Sequence, residues 1–216
     1  NNNFGIRKNV LEFDRVMSEQ REIIYEERCK VLNGESMHDV IYKMITDIVE
    51  NCVDMSINDD VDISEWDFNE LNGLLLPTIP LEPITEERVK KAKKSGLKQQ
   101  LKEEAVKLYE AKEAEFPDSE TIREIERVIL LKVIDRKWMA HIDDMDQMRQ
   151  GIGLQAYGQR DPIVEYKMNG YEMFDDMTKN IKEETVRTLF HIKVEQKIER
   201  EQGVKITGTN RSEERR

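Results

Sequence analysis

Apolar residues recur every three or four positions through two long stretches on either side of a glycine-rich break, and that repeat leaves room for little except a helical hairpin. In the first arm Ile122, Ile125, Ile129, Val133, Trp138, Ile142 and Met145 mark one face of a helix. The break reads Gly151-Ile152-Gly153-Leu154-Gln155-Ala156-Tyr157-Gly158-Gln159-Arg160. The second arm opens with Asp161-Pro162, where Asp can cap free amides and Pro suits the first helical turn. It continues through Ile163, Tyr166, Gly170, Phe174, Met177, Ile181 and Leu189. So short a connection predicts antiparallel arms. Ile152, Leu154 and Tyr157 fall in the connection, where polar residues are usual. The pattern alone leaves two readings open: apolar surface held out toward a partner, or a tip folded back on a neighbouring part of the chain.

Ahead of the hairpin, Val10, Phe13, Met17, Ile24 and Val31 predict a helix of roughly 25 residues, about 40 Å long. Asn33-Gly34 stops it. A helix of that length needs several neighbours along its face. Ser36, with Asp39 three residues on, starts the next helix, whose apolar face is Val40, Ile41, Met44, Ile45, Ile48, Val49 and Cys52, ending near Asp54. A loop, a short helix around Glu65 to Leu75, and a segment bounded by Pro77, Pro80 and Pro83 follow. Thr85-Glu86-Glu87 opens another helix, Gly96 is expected to interrupt it, and Leu97 to Phe116 gives a further charged helix. Residues 35–116 thus read as a small helical unit inserted between two long-helix segments, and Pro117-Asp118-Ser119 begins the hairpin. Past Glu199 the apolar pattern fades into a polar end expected to be a flexible tail.

The fold class expected is therefore all-α. Charged residues at 37% against 38% hydrophobic, with 10 Gly and 5 Pro, suit amphipathic helices with wide wet faces. A net charge of -11 argues against nucleic acid as a partner; the basic run Arg88 to Lys94 is local and lacks interleaved aromatics. Cys29 and Cys52 have no close partner in sequence, so neither a disulfide framework nor a cysteine metal site is indicated, which fits a reducing cytosol. No apolar run approaches a membrane span. The chain starts Asn1-Asn2-Asn3, without Met or a signal-like segment, and enters a helical pattern at once, which reads as an excised fragment.

Three patterns could carry chemistry. His141, Asp143, Asp144 and Asp146 lie close together, and His141 with Asp144, and Asp143 with Gln147, have helical ligand spacing, but no second cluster completes a shell, so a solvated face is expected rather than a metal or acid-base site. His38 and His191 are isolated and read as surface or cap residues. No Gly-Lys-Ser or Gly-Lys-Thr closes a phosphate loop, so ATP hydrolysis is not expected of this chain, and no catalytic, cofactor or metal residue is assigned. Ten methionines, six of them at 139, 145, 148, 168, 173 and 177, fit either ordinary helix packing or an adaptable apolar surface. The second possibility would make the chain a stand-alone helical adaptor gripping partner helices through a Met-lined face. Trp138 is expected to anchor the hairpin against the first long helix.

DRKWMAHIDDMDQMRQGI from Asp135 to Ile152, followed by LQAYGQRDPIVEYKMNGYEMF, closely resembles the two-helix finger of the SecA family, the ATP-driven motors of bacterial protein secretion. The opening NNFGIRKNVLEFDRVMSEQREIIYEER resembles the start of that family's scaffold helix. The resemblance implies a scaffold helix over 1–34, a helical wing over 35–116, a second scaffold segment with the finger over 117–200 and its tip at 151–160, and a flexible tail over 201–216. It implies that Tyr157, with Ile152, Leu154 and Gln155, contacts the unfolded preprotein and the SecY-containing channel. It further implies contact with the parent's own nucleotide-binding domains, where ATP and magnesium would bind, a restraint on their ATPase activity, and a homodimer. The parent would be cytoplasmic, associated peripherally with the inner face of the bacterial plasma membrane. The family's small zinc element, which would follow the tail, has no counterpart, because no Cys follows Cys52. Where the family commonly reads GIHLRAYAQ this chain reads GIGLQAYGQ: Gly153, Gln155 and Gly158 stand for a His, an Arg and an Ala, which removes a positive charge beside the tip and loosens the loop.

Overall fold

A computed structural model describes residues 2–34, 36–89, 93–154 and 161–193, and every regular element among them is helical, as expected. Helix α1, Asn2–Leu32, is stopped where the Asn33 amide donates to the Cys29 carbonyl at 2.9 Å and Gly34 takes a left-handed φ of 91°. Helix α2, Met37–Ser56, starts on the Ser36 hydroxyl, which accepts from the Asp39 amide at 3.4 Å. A 3-10 turn at Ile63–Glu65 leads to α3, Phe68–Leu75, capped by Asp67. The proline-bounded segment is then tied back to α3 by a two-way bond: Asn72 Nδ2 donates to the Ile84 carbonyl and the Ile84 amide donates to Asn72 Oδ1, both at 2.8 Å.

After the short α4, Glu86–Val89, helix α5 runs Lys94–Glu113. Gly96 does not interrupt it. It lies in the first turn, whereas the conformational-entropy cost of a glycine is felt chiefly in a helix interior. Helices α6, Ser119–Leu154, and α7, Pro162–His191, are the two arms, and Asp161 caps α7 by accepting from the Ile163 amide at 2.9 Å.

Cross-helix contacts fix the directions. Arg28 meets Asp135, Gln20 meets His141 and Asp14 meets Arg149, so α1 runs antiparallel to α6. Glu12 meets Lys167 and Glu19 meets Tyr171, so α1 runs parallel to α7. His141 lies against Phe174, while nearer the tip Ile152 clusters with Tyr166, which makes α6 and α7 antiparallel. Helix α2 runs antiparallel to α5 through Tyr42 with Glu113 and Lys98 with Asp54.

The main core joins α2, α3 and α5 (Ile41, Ile45, Val49, Leu71, Leu75, Leu101, Tyr109) to α1, α6 and α7 (Ile24, Val31, Leu130, Trp138, Phe174, Leu189). Packing therefore continues without a gap across residue 116. A second, smaller cluster of Val16, Met145, Ile152 and Tyr166 holds the three long helices together nearer the tip. The edge-on contact of Phe13 with Tyr166, 4.6 Å between ring centres, adds to it.

Candidate functional site

Tyr157 and Gln155 lie outside the described residues, and Leu154 is the last residue of α6. Ile152 departs from expectation. The resemblance makes it a contact residue of the tip, yet it is 6% exposed and packs with Val16, Met145 and Tyr166. The reason is that α6 continues through Leu154, so Ile152, two turns beyond Met145, stays on the buried stripe. Trp138 is buried and lines a groove whose other wall is Ile24, Tyr25 and Arg28 of α1, the neighbour expected for it.

Three polar groups meet inside the bundle, close to the smaller cluster. Gln20 on α1 is 1% exposed and His141 on α6 is 4% exposed. Gln20 Nε2 donates to the Gly170 carbonyl of α7 at 3.0 Å, and Gln20 Oε1 lies 2.7 Å from His141 Nε2. A carbonyl can only accept, so the Gln20 nitrogen must face Gly170 and its oxygen must face His141. His141 therefore carries its proton on Nε2. Burial holds its pKa below the ordinary value, opposed by the charge of Asp144. The solvated-face expectation holds for Asp143, Asp144 and Asp146, which are exposed, but fails for His141, whose place three residues after Trp138 and four before Met145 puts it on the inner stripe. At Gly170 a Cβ would stand 2.8 Å from the Met145 methyl, so the missing side chain lets the two arms approach.

A second buried polar network was not found from sequence. Glu126 on α6 is 0% exposed, accepts from the Tyr109 hydroxyl at 2.5 Å and from Arg123 Nη1 at 2.8 Å on both oxygens. Arg123 also pairs with Glu113, which accepts from the Tyr42 hydroxyl at 3.1 Å. Helices α2, α5 and α6 are joined by this chain of bonds. Burial raises the Glu126 pKa above its usual value against the lowering effects of Tyr109 and Arg123. The one available signal was position: Glu126 falls four residues after Ile122 and four before Leu130.

The methionines divide. Met145 and Met177 are buried, while Met139 and Met168 are 62% and 68% exposed and lie on different helices. Among the described residues no group of three His, Cys, Asp or Glu could hold a metal ion, and no helix is long and apolar enough to cross a membrane. Cys29 is an exposed free thiol and Cys52 a buried one, whose pKa burial pushes up to about 11.

A long hairpin thus lies along one long helix, with a smaller helical unit packed at its far end. The family model described as the SecA wing and scaffold domain matches residues 1–193. The chain belongs to the SecA wing and scaffold family. Similar proteins include the protein translocase subunit SecA of Lachnoclostridium phytofermentans, 64% identical over 214 residues that make up 98% of this chain and 25% of that protein. Those of Finegoldia magna and Desulforamulus reducens are 47% and 46% identical, over 99% and 93% of this chain and 23% of each relative. The chain thus spans about a quarter of the length of the curated relatives it matches. The finger and scaffold-helix blocks singled out in the sequence, α6 with α7 and α1, both fall inside the matched SecA region.

Proposed function

We propose that this chain is the non-catalytic part of a SecA-type preprotein translocase that passes motor movement to the polypeptide being transported. ATP and magnesium would be held by nucleotide-binding domains elsewhere in the longer protein, and α1 would receive their movement along its length. The hairpin α6–α7 would carry it to Tyr157, which with Leu154 and Gln155 contacts the unfolded preprotein at the mouth of a SecY-containing channel. A tyrosine suits a grip that ignores sequence, its ring giving apolar area to any side chain and its hydroxyl a partner to any backbone. Ile152, buried at the last turn of α6, is a brace for the tip in this reading. The same hairpin would restrain the ATPase when no channel is engaged, and the protein would sit peripherally on the inner face of the bacterial plasma membrane, alone or as a homodimer.

The observation that supports this reading best is the continuous hold of α1 on both arms, from Lys167 and Arg149 near the tip to Asp135 and Arg127 beside the main core, together with membership of the SecA family. The experiment places a photo-crosslinking residue at position 157 of the translocase containing this chain and stalls a secretory precursor during ATP-dependent transport. Adducts to precursor and channel are expected. Adducts confined to the translocase itself would overturn the contact role and leave the hairpin as an internal brace.

A further inference from the structure

The buried part of the seam between α1 and the hairpin is apolar except at one level, with polar pairs such as Arg28–Asp135, Asp14–Arg149, Glu12–Lys167 and Glu19–Tyr171 along its more exposed edges. One turn from Gln20 along α1 stand Val16 and Ile24, and on α6 His141 is flanked by Trp138 and Met145; all four are buried. If the hairpin slid one turn along α1, about 5.4 Å, His141 would face Val16 or Ile24 and Gln20 would face Trp138 or Met145. The amide and the imidazole N–H would then be buried without partners, and the bond to the Gly170 carbonyl would be lost. A buried polar group without its partner is costly, whereas an apolar residue that meets another apolar residue leaves no polar group unpaired. The edge pairs would also be lost in a slip but contribute little each where they are exposed to solvent. Among the buried contacts the polar level is therefore what distinguishes one register from the next, as a single polar residue does in a coiled-coil seam.

We infer that Gln20, with His141 and Gly170, is a register clamp that fixes the axial position of the hairpin on the long helix, so that the two move together instead of slipping. Gln20 is suited to this because it reaches both arms at once, donating to α7 and accepting from α6. Gly170 completes it: the Met145 methyl lies 2.8 Å from where a Cβ would stand, so the two arms approach closely at the same level that Gln20 bridges. Gln20 and His141 are positioning residues, acting on the tip only through the hairpin. The functional weight of the clamp rests on the proposed role of that hairpin.

The test separates register from stability. Cys29 and Cys52 are first replaced (C29S, C52A), and spin labels are attached through E26C on α1 and Q150C on α6, both exposed positions. Arg149 lies beside Asp14, so the labels stand roughly 20 Å apart along the axis at the usual helical rise. With Gln20 and His141 intact, pulsed electron paramagnetic resonance should give one narrow distance. In Q20L/H141L, which leaves no buried donor unpaired, helicity and unfolding midpoint should be retained or raised. A second distance displaced by about 5 Å should appear. Q20N, one methylene too short to reach both arms, should broaden the distribution in the same direction. A single unchanged distance in both variants would overturn the inference. Collapse of Q20L/H141L would do so as well, because the pair would then be a source of stability and not of register. The distances are read in this chain without channel or precursor, so the result is independent of the crosslink at position 157.

Discussion

Replacing Tyr109 by Phe removes one hydroxyl and nothing else. The ring is 0% exposed and edge-packed on Tyr42 and Phe190, with centres 5.7 and 5.3 Å away, so its apolar packing survives the change. What is lost is the 2.5 Å bond to the Glu126 carboxylate, a hydrogen bond to a buried charged group. Such bonds contribute about 1.5–3 kcal/mol. For a chain of this length that corresponds to a melting temperature lower by about 3–12 °C. The loss should depend on pH. Glu126 has a folded-state pKa above its ordinary 4.5, and Tyr109 is among the groups that hold it down. Without the hydroxyl the ionised form is less favourable still, so the penalty is complete above the folded-state pKa. It shrinks as pH falls below that folded-state pKa, because the folded carboxyl is then protonated with or without the hydroxyl. Urea unfolding followed by circular dichroism at pH 7 and pH 4.5 measures both effects. A cost below about 0.5 kcal/mol at pH 7, inside the usual range for inert substitutions, or an equal cost at both pH values, would refute the reasoning.

Two further outcomes are expected. His141 is neutral when buried, with a folded-state pKa below its ordinary 6.5, so its contribution is complete above that value and stability is lost as pH falls through it. Unfolding midpoints measured between pH 7.5 and 5 should therefore shift in favour of Q20L/H141L over the unsubstituted chain as pH falls, and parallel profiles would contradict the burial argument. At Gly34, whose φ of 91° suits glycine and whose Cβ position has no atom within 4 Å, G34A should destabilise by backbone strain alone. A cost of about 1–2 kcal/mol is expected, and an unchanged denaturation midpoint would show that the turn relaxes.

The helices were legible because their signals are local. Ser36, Asp161-Pro162 and Asn33-Gly34 each supply a cap or stop through their own chemistry, and all three act where the sequence places them. The buried stripe of α7 was also readable, since Tyr166, Gly170, Phe174, Met177, Ile181 and Leu189 keep one face throughout. Gly96 misled because a glycine breaks a helix in its interior and not in its first turn. The burial of Gln20, Glu126 and His141 was not legible for a different reason: apolar periodicity passes over polar residues that occupy stripe positions. Each sits three or four residues from buried apolar neighbours on both sides, a pattern that marks a polar group whose partner comes from another helix. The burial of Ile152 depended on how far α6 continues past Gly151, which no local signal sets.

The difference in size between the two apolar clusters bears on how this region yields under load. Near α2 and α5 the long helices are rooted in a core to which α1, α2, α3, α5, α6 and α7 all contribute, whereas toward the tip, among the described residues, they are held by four buried side chains and their partly buried neighbours. Amide protons of the segments around Val16, Ile152 and Tyr166 should accordingly exchange with solvent through partial openings, well before those around Ile45 or Leu189, which wait for global unfolding. A beam of this kind is stiff where it is mounted and more compliant along the outer turns of α1, α6 and α7, so those turns can bend while the mount keeps its shape.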